Sequence, residues 1–294
     1  MKEPLFTGVC TALVTPFSEN GINYAMLDRL IERQLAAGVS AVAVCGTTGE
    51  AATLTPQERR ALVAHTVRFT DGRCKVIAGA GTNCTRDAVE LARAARDVGA
   101  DGLLVVTPYY NKTSQAGLIA HYETVAAAVE IPVIVYNVPS RTGMTITAET
   151  YTALSQIENI VGVKEASGDL ALVSRIRNLC RDALFVYSGS DELAVPMMSV
   201  GAKGLISTTA NLVPRKFVRM LRACEKGDYL KAGDMQVGLM PLIDAMFCDV
   251  NPIPVKEALR MAGYDAGPCR PPLCEPSQEL RSRLEALLPT IHIN

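Results

Sequence analysis

In the stretch NIVGVKEASGD, residues 159–169, an apolar run from Ile160 to Val163 ends in Lys164. An ammonium group is strongly hydrated, and setting one against apolar walls is costly unless it is paired or gives up its proton. A lysine at a strand end usually escapes the cost by running its alkyl stem out to water. The alternative is a nucleophilic amine. A lysine with a pKa of about 10.4 is almost fully protonated at neutral pH, and desolvation raises the neutral fraction that attacks a carbonyl. Attack on a ketone also needs a proton relay, because the carbinolamine must lose water. Tyrosine and threonine hydroxyls accept and donate in turn, and the candidates are Thr47 in CGTTGE, the tandem Tyr109 and Tyr110 in TPYYNK, and Tyr136 in VIVYNVPSRTG. Arg141, five residues beyond Tyr136, is suited to gripping a carboxylate with two parallel hydrogen bonds. Singly, each has a plainer reading: Thr and Tyr favour strands, Gly and Asn mark turns, and Arg141 is an ordinary loop charge.

These residues matter jointly only if a scaffold brings them to one place. Short β-branched runs predict strands at 8–14, 41–46, 75–80, 102–108, 132–137, 160–164, 184–189 and 203–208. Their near-continuous hydrophobicity suits strands buried on both faces, and helical patterns between them imply parallel pairing. Thr55, Pro56 and Glu58 predict a capping box opening a helix, while Gly38 and Gly99 are placed to stop helices in left-handed caps. Eight β-then-α units predict a closed (β/α)8 TIM barrel over residues 1–225, with a small C-terminal helical extension over 226–294. The competing open doubly wound sheet is disfavoured because no G-x-G-x-x-G follows the first strand.

In such a barrel the active site lies at the C-terminal ends of the strands. Lys75 and Lys203 open their strands and belong to the opposite end, Lys112 and Lys256 lie outside the strands, and Lys164 alone closes one. The same rule collects Thr47, Thr48, Tyr109, Tyr110, Tyr136 and Arg141, then Ser188, Gly189 and Asp191 after the seventh strand, and Ser207 to Thr209 after the eighth. The SGSDE loop is acidic and neither late loop has a glycine-rich cradle with a basic partner, so a phosphorylated substrate is disfavoured.

Hydrophobic residues make up 49% and charged residues 20% of the 294, with a formal net charge of -1, the composition of an ordinary soluble globular protein. Without a lysine or arginine run, neither a nucleic-acid groove nor an anionic membrane surface is indicated. The nine cysteines form no Cys-x-x-Cys pair and predict a reduced, cytoplasmic setting. His65, His121 and His292 lack the spacing of a metal site, and no metal is expected. No signal-peptide pattern opens the chain and no apolar run approaches about 18 residues, so neither export nor membrane spanning is expected.

In order and spacing, GTTGE, TPYYNK, YNVPSRTG, VGVKEASGD, SGSD and NPIPVKEAL resemble the dihydrodipicolinate synthase family over nearly the whole chain, weakening only near the C-terminus. The resemblance implies a class I aldolase reaction. Pyruvate forms an imine with Lys164, passes to the enamine and attacks L-aspartate 4-semialdehyde, giving 4-hydroxy-tetrahydrodipicolinate on the diaminopimelate route to lysine, with no cofactor beyond that imine. It implies Tyr136, Thr47 and Tyr110 as the relay, with Tyr110 reaching into a neighbouring subunit's site in a homotetramer built as a dimer of dimers. It further implies Thr48 at the pyruvate carboxylate, Arg141 at the semialdehyde carboxylate, and backbone near Gly189 and Ile206 lining the pocket. Asn83, Asp87 and Tyr109 match a lysine-binding regulatory cleft. Ala51, Pro56 and Arg59, however, stand where well-regulated enterobacterial-type members carry a serine and two histidines, so feedback inhibition is expected to be weak. Two rivals remain at this point: a related aldolase, such as an N-acetylneuraminate lyase or a 2-keto-3-deoxy sugar-acid aldolase, and a non-catalytic barrel that binds a keto acid. Sialic-acid lyases typically show a serine in the GTTGE motif and no arginine in PSRTG.

Overall fold

The structure, a computed structural model, describes residues 2–291 and 293; His292 lies outside the described residues. Eight strands form the barrel: β1 (Gly8–Ala12), β2 (Ala41–Val44), β3 (Lys75–Gly79), β4 (Gly102–Val106), β5 (Val133–Asn137), β6 (Ile160–Glu165), β7 (Phe185–Ser188) and β8 (Gly204–Ser207). All pair in parallel with their sequence neighbours, and β1 pairs with both β2 and β8, which closes the sheet. Each expected strand is present, most ending one or two residues early because the last residues of each run turn into the βα loops. A two-stranded hairpin, Phe17–Ser18 with Gly21–Ile22, was not anticipated; strands of two residues carry no periodicity to read.

Side chains alternate across each strand, giving two cores. Inside the barrel lie Cys10, Ala12, Ala41, Ala43, Ile77, Leu104, Ile134, Tyr136, Phe185, Tyr187 and Ile206, all buried. The larger outer core packs the opposite faces of the strands, among them Val42, Val76, Val105, Val135 and Val163, against the helices. The helix at Pro56–Thr70 opens on the expected capping box, with Thr55 and Glu58 serving each other's backbone. Gly38 caps its helix in left-handed backbone at φ +80.

The barrel's eighth helix, Pro214–Glu225, is followed by helices at Tyr229–Met246, Ile253–Met261 and Gln278–Leu287. The loop after the second of these returns to the barrel: Arg270 places its guanidinium on Glu58 with contacts of 2.9 and 2.6 Å. That hydrogen-bonded pairing holds the Glu58 carboxyl at about 2, against an ordinary value of 4.5. A depressed folded-state pKa contributes stability that is present above the unfolded value and lost as pH falls through the folded one. The melting-temperature deficit of Glu58→Gln against the unmodified chain is therefore expected to be largest near neutral pH and to vanish as pH falls toward about 2. A deficit that stays constant across thermal melts from neutral to acid pH would contradict this coupling.

Candidate active site

The parallel ladder between β5 and β6 carries a register shift. Val133 pairs with Ile160, but Ile134 pairs with Gly162, and from there Tyr136 stands level with Lys164. Without the extra residue Tyr136 would sit beside Val163, whose side chain faces the helices. A one-residue slip exchanges the two faces of a strand, so this irregularity brings the amine and the phenol onto the same wall. Lys164 is 6% exposed, and its Nζ lies 4.4 Å from the centre of the Tyr136 ring.

The chain buries a second lysine, and the contrast is instructive. Lys256, on the helix Ile253–Met261, is 4% exposed and sits 2.6 Å from Glu50 Oε1. Burial pushes its pKa down and Glu50 opposes that shift. Among the described residues no carboxylate within ion-pair distance faces Lys164. Its amine points instead into a cavity of about 360 Å³ lined by Thr47, Thr48, Tyr136, Arg141, Gly189 and Thr208, among others. Gly189 makes room for it: a Cβ there would stand 3.1 Å from Lys164 Cε and 2.7 Å from the Ala166 methyl.

Thr47 and Thr48 occupy the loop after β2. The Thr48 hydroxyl is buried, 3.1 Å from Thr208 Oγ1, and accepts a hydrogen bond from Asn251 Nδ2 at 3.0 Å. Arg141 lies on a short helical turn, Pro139–Thr142, and is exposed at the rim. A second cavity of about 320 Å³ adjoins the first, sharing Thr47, Tyr136, Val138, Arg141 and Asn251, and Tyr109 and Arg59 are on its wall.

The remaining candidates lie elsewhere. Ile206 sits in the barrel interior, 1% exposed, in the same buried cluster as Tyr136. Tyr110 is 94% exposed and holds left-handed backbone at φ +67, a conformation uncommon for a bulky side chain and associated with functional loops. Asn83 takes a hydrogen bond from Asn111 on its carbonyl, and Asp87, in the first turn of the helix Thr85–Asp97, pairs with Arg86.

Two buried carboxylates at this end of the barrel, Glu165 and Asp191, have no role in the sequence reading, although the strand-end rule collects Asp191. β6 runs one residue past Lys164 to Glu165, which faces the other way and is 1% exposed. Its carboxylate accepts from Asn137 Nδ2 on both oxygens at 3.0 Å, from the Tyr151 hydroxyl at 2.8 Å and from the Ser167 amide at 2.8 Å. Burial, with Glu165 as the next cause, pushes Tyr151 well above its ordinary pKa, so it remains a donor. Asn137 Oδ1 in turn accepts from the Ile146 amide. The strand that carries the amine and the loop that carries Arg141 are thus tied behind the barrel wall. Asp191, buried after β7, accepts from the Thr209 amide at 2.8 Å; burial raises its pKa, while Ser207, Thr209 and the Lys164 charge act the other way. The available signal for Glu165 was strand alternation, which points the residue after an inward lysine toward the helices.

A buried amine with no ion-pair partner among the described residues, sharing one cavity with a tyrosine, two threonines and an arginine, is equipped to form an imine with a keto acid and to move the protons that imine chemistry requires. Relatives carry the same framework. A 4-hydroxy-tetrahydrodipicolinate synthase of Thermoanaerobacter sp. (strain X514) is 48% identical over 286 residues, covering 97% of this chain and 96% of its own length. A solved chloride-inhibited dihydrodipicolinate synthase from Acinetobacter baumannii, complexed with pyruvate, superposes with a TM-score of 0.95 at 39% identity, covering 98% of this chain and 99% of its own. A monomeric dihydrodipicolinate synthase variant superposes at 0.96 with 37% identity, covering 99% and 98%. The sequence model of the dihydrodipicolinate synthetase family matches residues 5–291, and the chain belongs to that family.

Proposed function

We propose that the chain condenses pyruvate with L-aspartate 4-semialdehyde to 4-hydroxy-tetrahydrodipicolinate, with Lys164 as the nucleophile. The observation that carries this reading is the contrast between two buried lysines, one neutralised by Glu50 and the other facing a cavity with Tyr136 at 4.4 Å. Lys164 Nζ adds to C2 of pyruvate; Tyr136 and Thr47 move the protons that let the carbinolamine lose water and the imine pass to the enamine. The enamine attacks the aldehyde carbon, and the amine of the second substrate closes the ring and releases Lys164. Thr48 takes the pyruvate carboxylate, backbone near Gly189 lines the pocket with Ile206 behind it in the barrel interior, and no cofactor beyond the imine is needed. Support for pyruvate comes from the Acinetobacter relative, which is complexed with it.

Arg141 is assigned to the semialdehyde carboxylate. Arg141→Ala is expected to raise KM for the semialdehyde by about tenfold to a hundredfold, the loss of a charge-assisted hydrogen bond, with KM for pyruvate little changed. The assay uses pyruvate with the semialdehyde and, in parallel, with N-acetylmannosamine or a sugar-derived aldehyde. Turnover of the latter with no response to Arg141→Ala would favour a related aldolase.

Tyr110 completes the relay from a neighbouring subunit, which its exposure and left-handed backbone favour; the assembly is a dimer of dimers. Residues 1–225 serve as the catalytic barrel and 226–294 as the extension. The reduced, cytoplasmic setting accords with nine free cysteines, and no described helix is long and apolar enough to cross a membrane. Asn83, Asp87 and Tyr109 form the remnant of a lysine-responsive cleft. With Arg59 spending its Nε and Nη2 on the Ala51 carbonyl and Pro56 offering no donor, lysine inhibition is expected to be weak. Half-inhibition at sub-millimolar lysine would contradict that expectation.

A further inference from the structure

The loop from Gly46 to Glu50 carries both threonines, and its shape is imposed from three sides. From the barrel, Thr15 Oγ1 donates to the Gly49 carbonyl at 2.7 Å. Within the loop, the Glu50 amide closes onto the Thr47 carbonyl at 3.0 Å, and Glu50 holds left-handed backbone at φ +55. A residue with a side chain persists in that conformation only when its surroundings over-determine it.

The rest comes from the C-terminal extension. Glu50 is 4% exposed; one carboxylate oxygen lies 2.6 Å from Lys256 Nζ and the other accepts from the Arg270 amide at 2.8 Å. Lys256 also donates to the Pro268 carbonyl at 2.9 Å, and its charge lies 4.5 Å from the centre of the Phe17 ring. Asn251 reaches the Thr48 hydroxyl from the same extension. A buried ion pair gives little net stability over apolar residues of the same volume, but it tolerates far fewer geometries. Here it is anchored directly to the turn that holds Thr47.

We infer that Glu50 and Lys256 are positioning residues for catalysis: their ion pair locks the Thr47–Glu50 turn so that the Thr47 hydroxyl stays in the Lys164 cavity. The helical extension is then part of the catalytic apparatus. The inference rests on the role proposed above for Thr47.

A double-mutant cycle on the full-length chain tests it, with kcat and KM measured for Lys256→Met, Thr47→Val and the pair. Misplacing a reacting group by about 1 Å costs up to about a hundredfold, so Lys256→Met is expected to lower kcat by about tenfold to a hundredfold with KM for pyruvate within about threefold. In the Thr47→Val background the same change is expected to cost less than about threefold more, because the group it positions is gone. Borohydride should still trap pyruvate on Lys164 in each variant, showing that the nucleophile is intact. If Lys256→Met does not fold, Glu50→Gln, which keeps the shape and removes the charge, enters the same cycle. Full, multiplicative losses in both backgrounds would overturn the positioning role while leaving the relay standing. A Thr47→Val enzyme of undiminished kcat would overturn the relay role and this inference with it.

Discussion

Lys164→Ala is expected to lower kcat by about ten-thousand-fold or more, the scale seen when a covalent nucleophile is removed from an assembled site. The same substitution should not lower the melting temperature. Lys164 contributes a buried, desolvated amine with no ion-pair partner among the described residues, a group whose burial opposes folding. Its removal enlarges a cavity that is already open to substrate, so little packing is lost. Stability conceded for function is a common feature of active sites. Lys256→Ala provides the opposite case. It leaves Glu50 buried without a counter-charge, and breaking such a pair by removing one partner costs about 3–5 kcal/mol. Activity assays and thermal melts on the two variants should therefore separate cleanly: one inactive and fully stable, the other destabilised. A Lys164→Ala protein that retained turnover, or that melted as early as Lys256→Ala, would mean the amine is structural.

Tyr136→Phe carries the second large effect. The substitution keeps the ring, and with it the contact to the Lys164 amine, while removing the hydroxyl that would pass protons. General acid–base catalysis contributes roughly a hundredfold to ten-thousandfold, and kcat should fall by that order with KM for pyruvate little altered. The split is informative because a packing defect would disturb binding and turnover together. Retention of kcat within about threefold would remove Tyr136 from the relay.

Much of this was legible in the sequence for a physical reason. Strands buried on both faces must be apolar throughout, so eight such runs separated by amphipathic segments leave few alternatives to a closed barrel. The rule that chemistry gathers at the strands' C-terminal ends then singled out Lys164, Tyr136, Thr47, Thr48, Arg141 and Gly189, which the fold brings to the wall of one cavity. What escaped depends on contacts between segments far apart in the chain. The shift that sets Tyr136 level with Lys164 leaves no mark on hydrophobic periodicity. The strand-end rule passes over Lys256, which lies outside the strands, yet an Ile253–Met261 helix that buries nearly every residue cannot also carry that lysine to water. Its partner Glu50 lies 206 positions away, and nothing local to either residue announces the pairing. Glu165 reads as a solvated charge until the strand is seen to continue through it. Tyr110 shows the limit from the other side: its tandem with Tyr109 marked it for chemistry, but a single chain leaves it in solvent.

The central claim is that pyruvate becomes covalently attached to Lys164. Intact-mass measurement after incubation with pyruvate and borohydride, on the unmodified chain and on Lys164→Ala, tests it most directly. One reduced pyruvyl adduct per chain, absent from the variant, is the predicted result. A folded, unmodified chain that takes up no adduct, or a Lys164→Ala chain that takes up the same one, would contradict it.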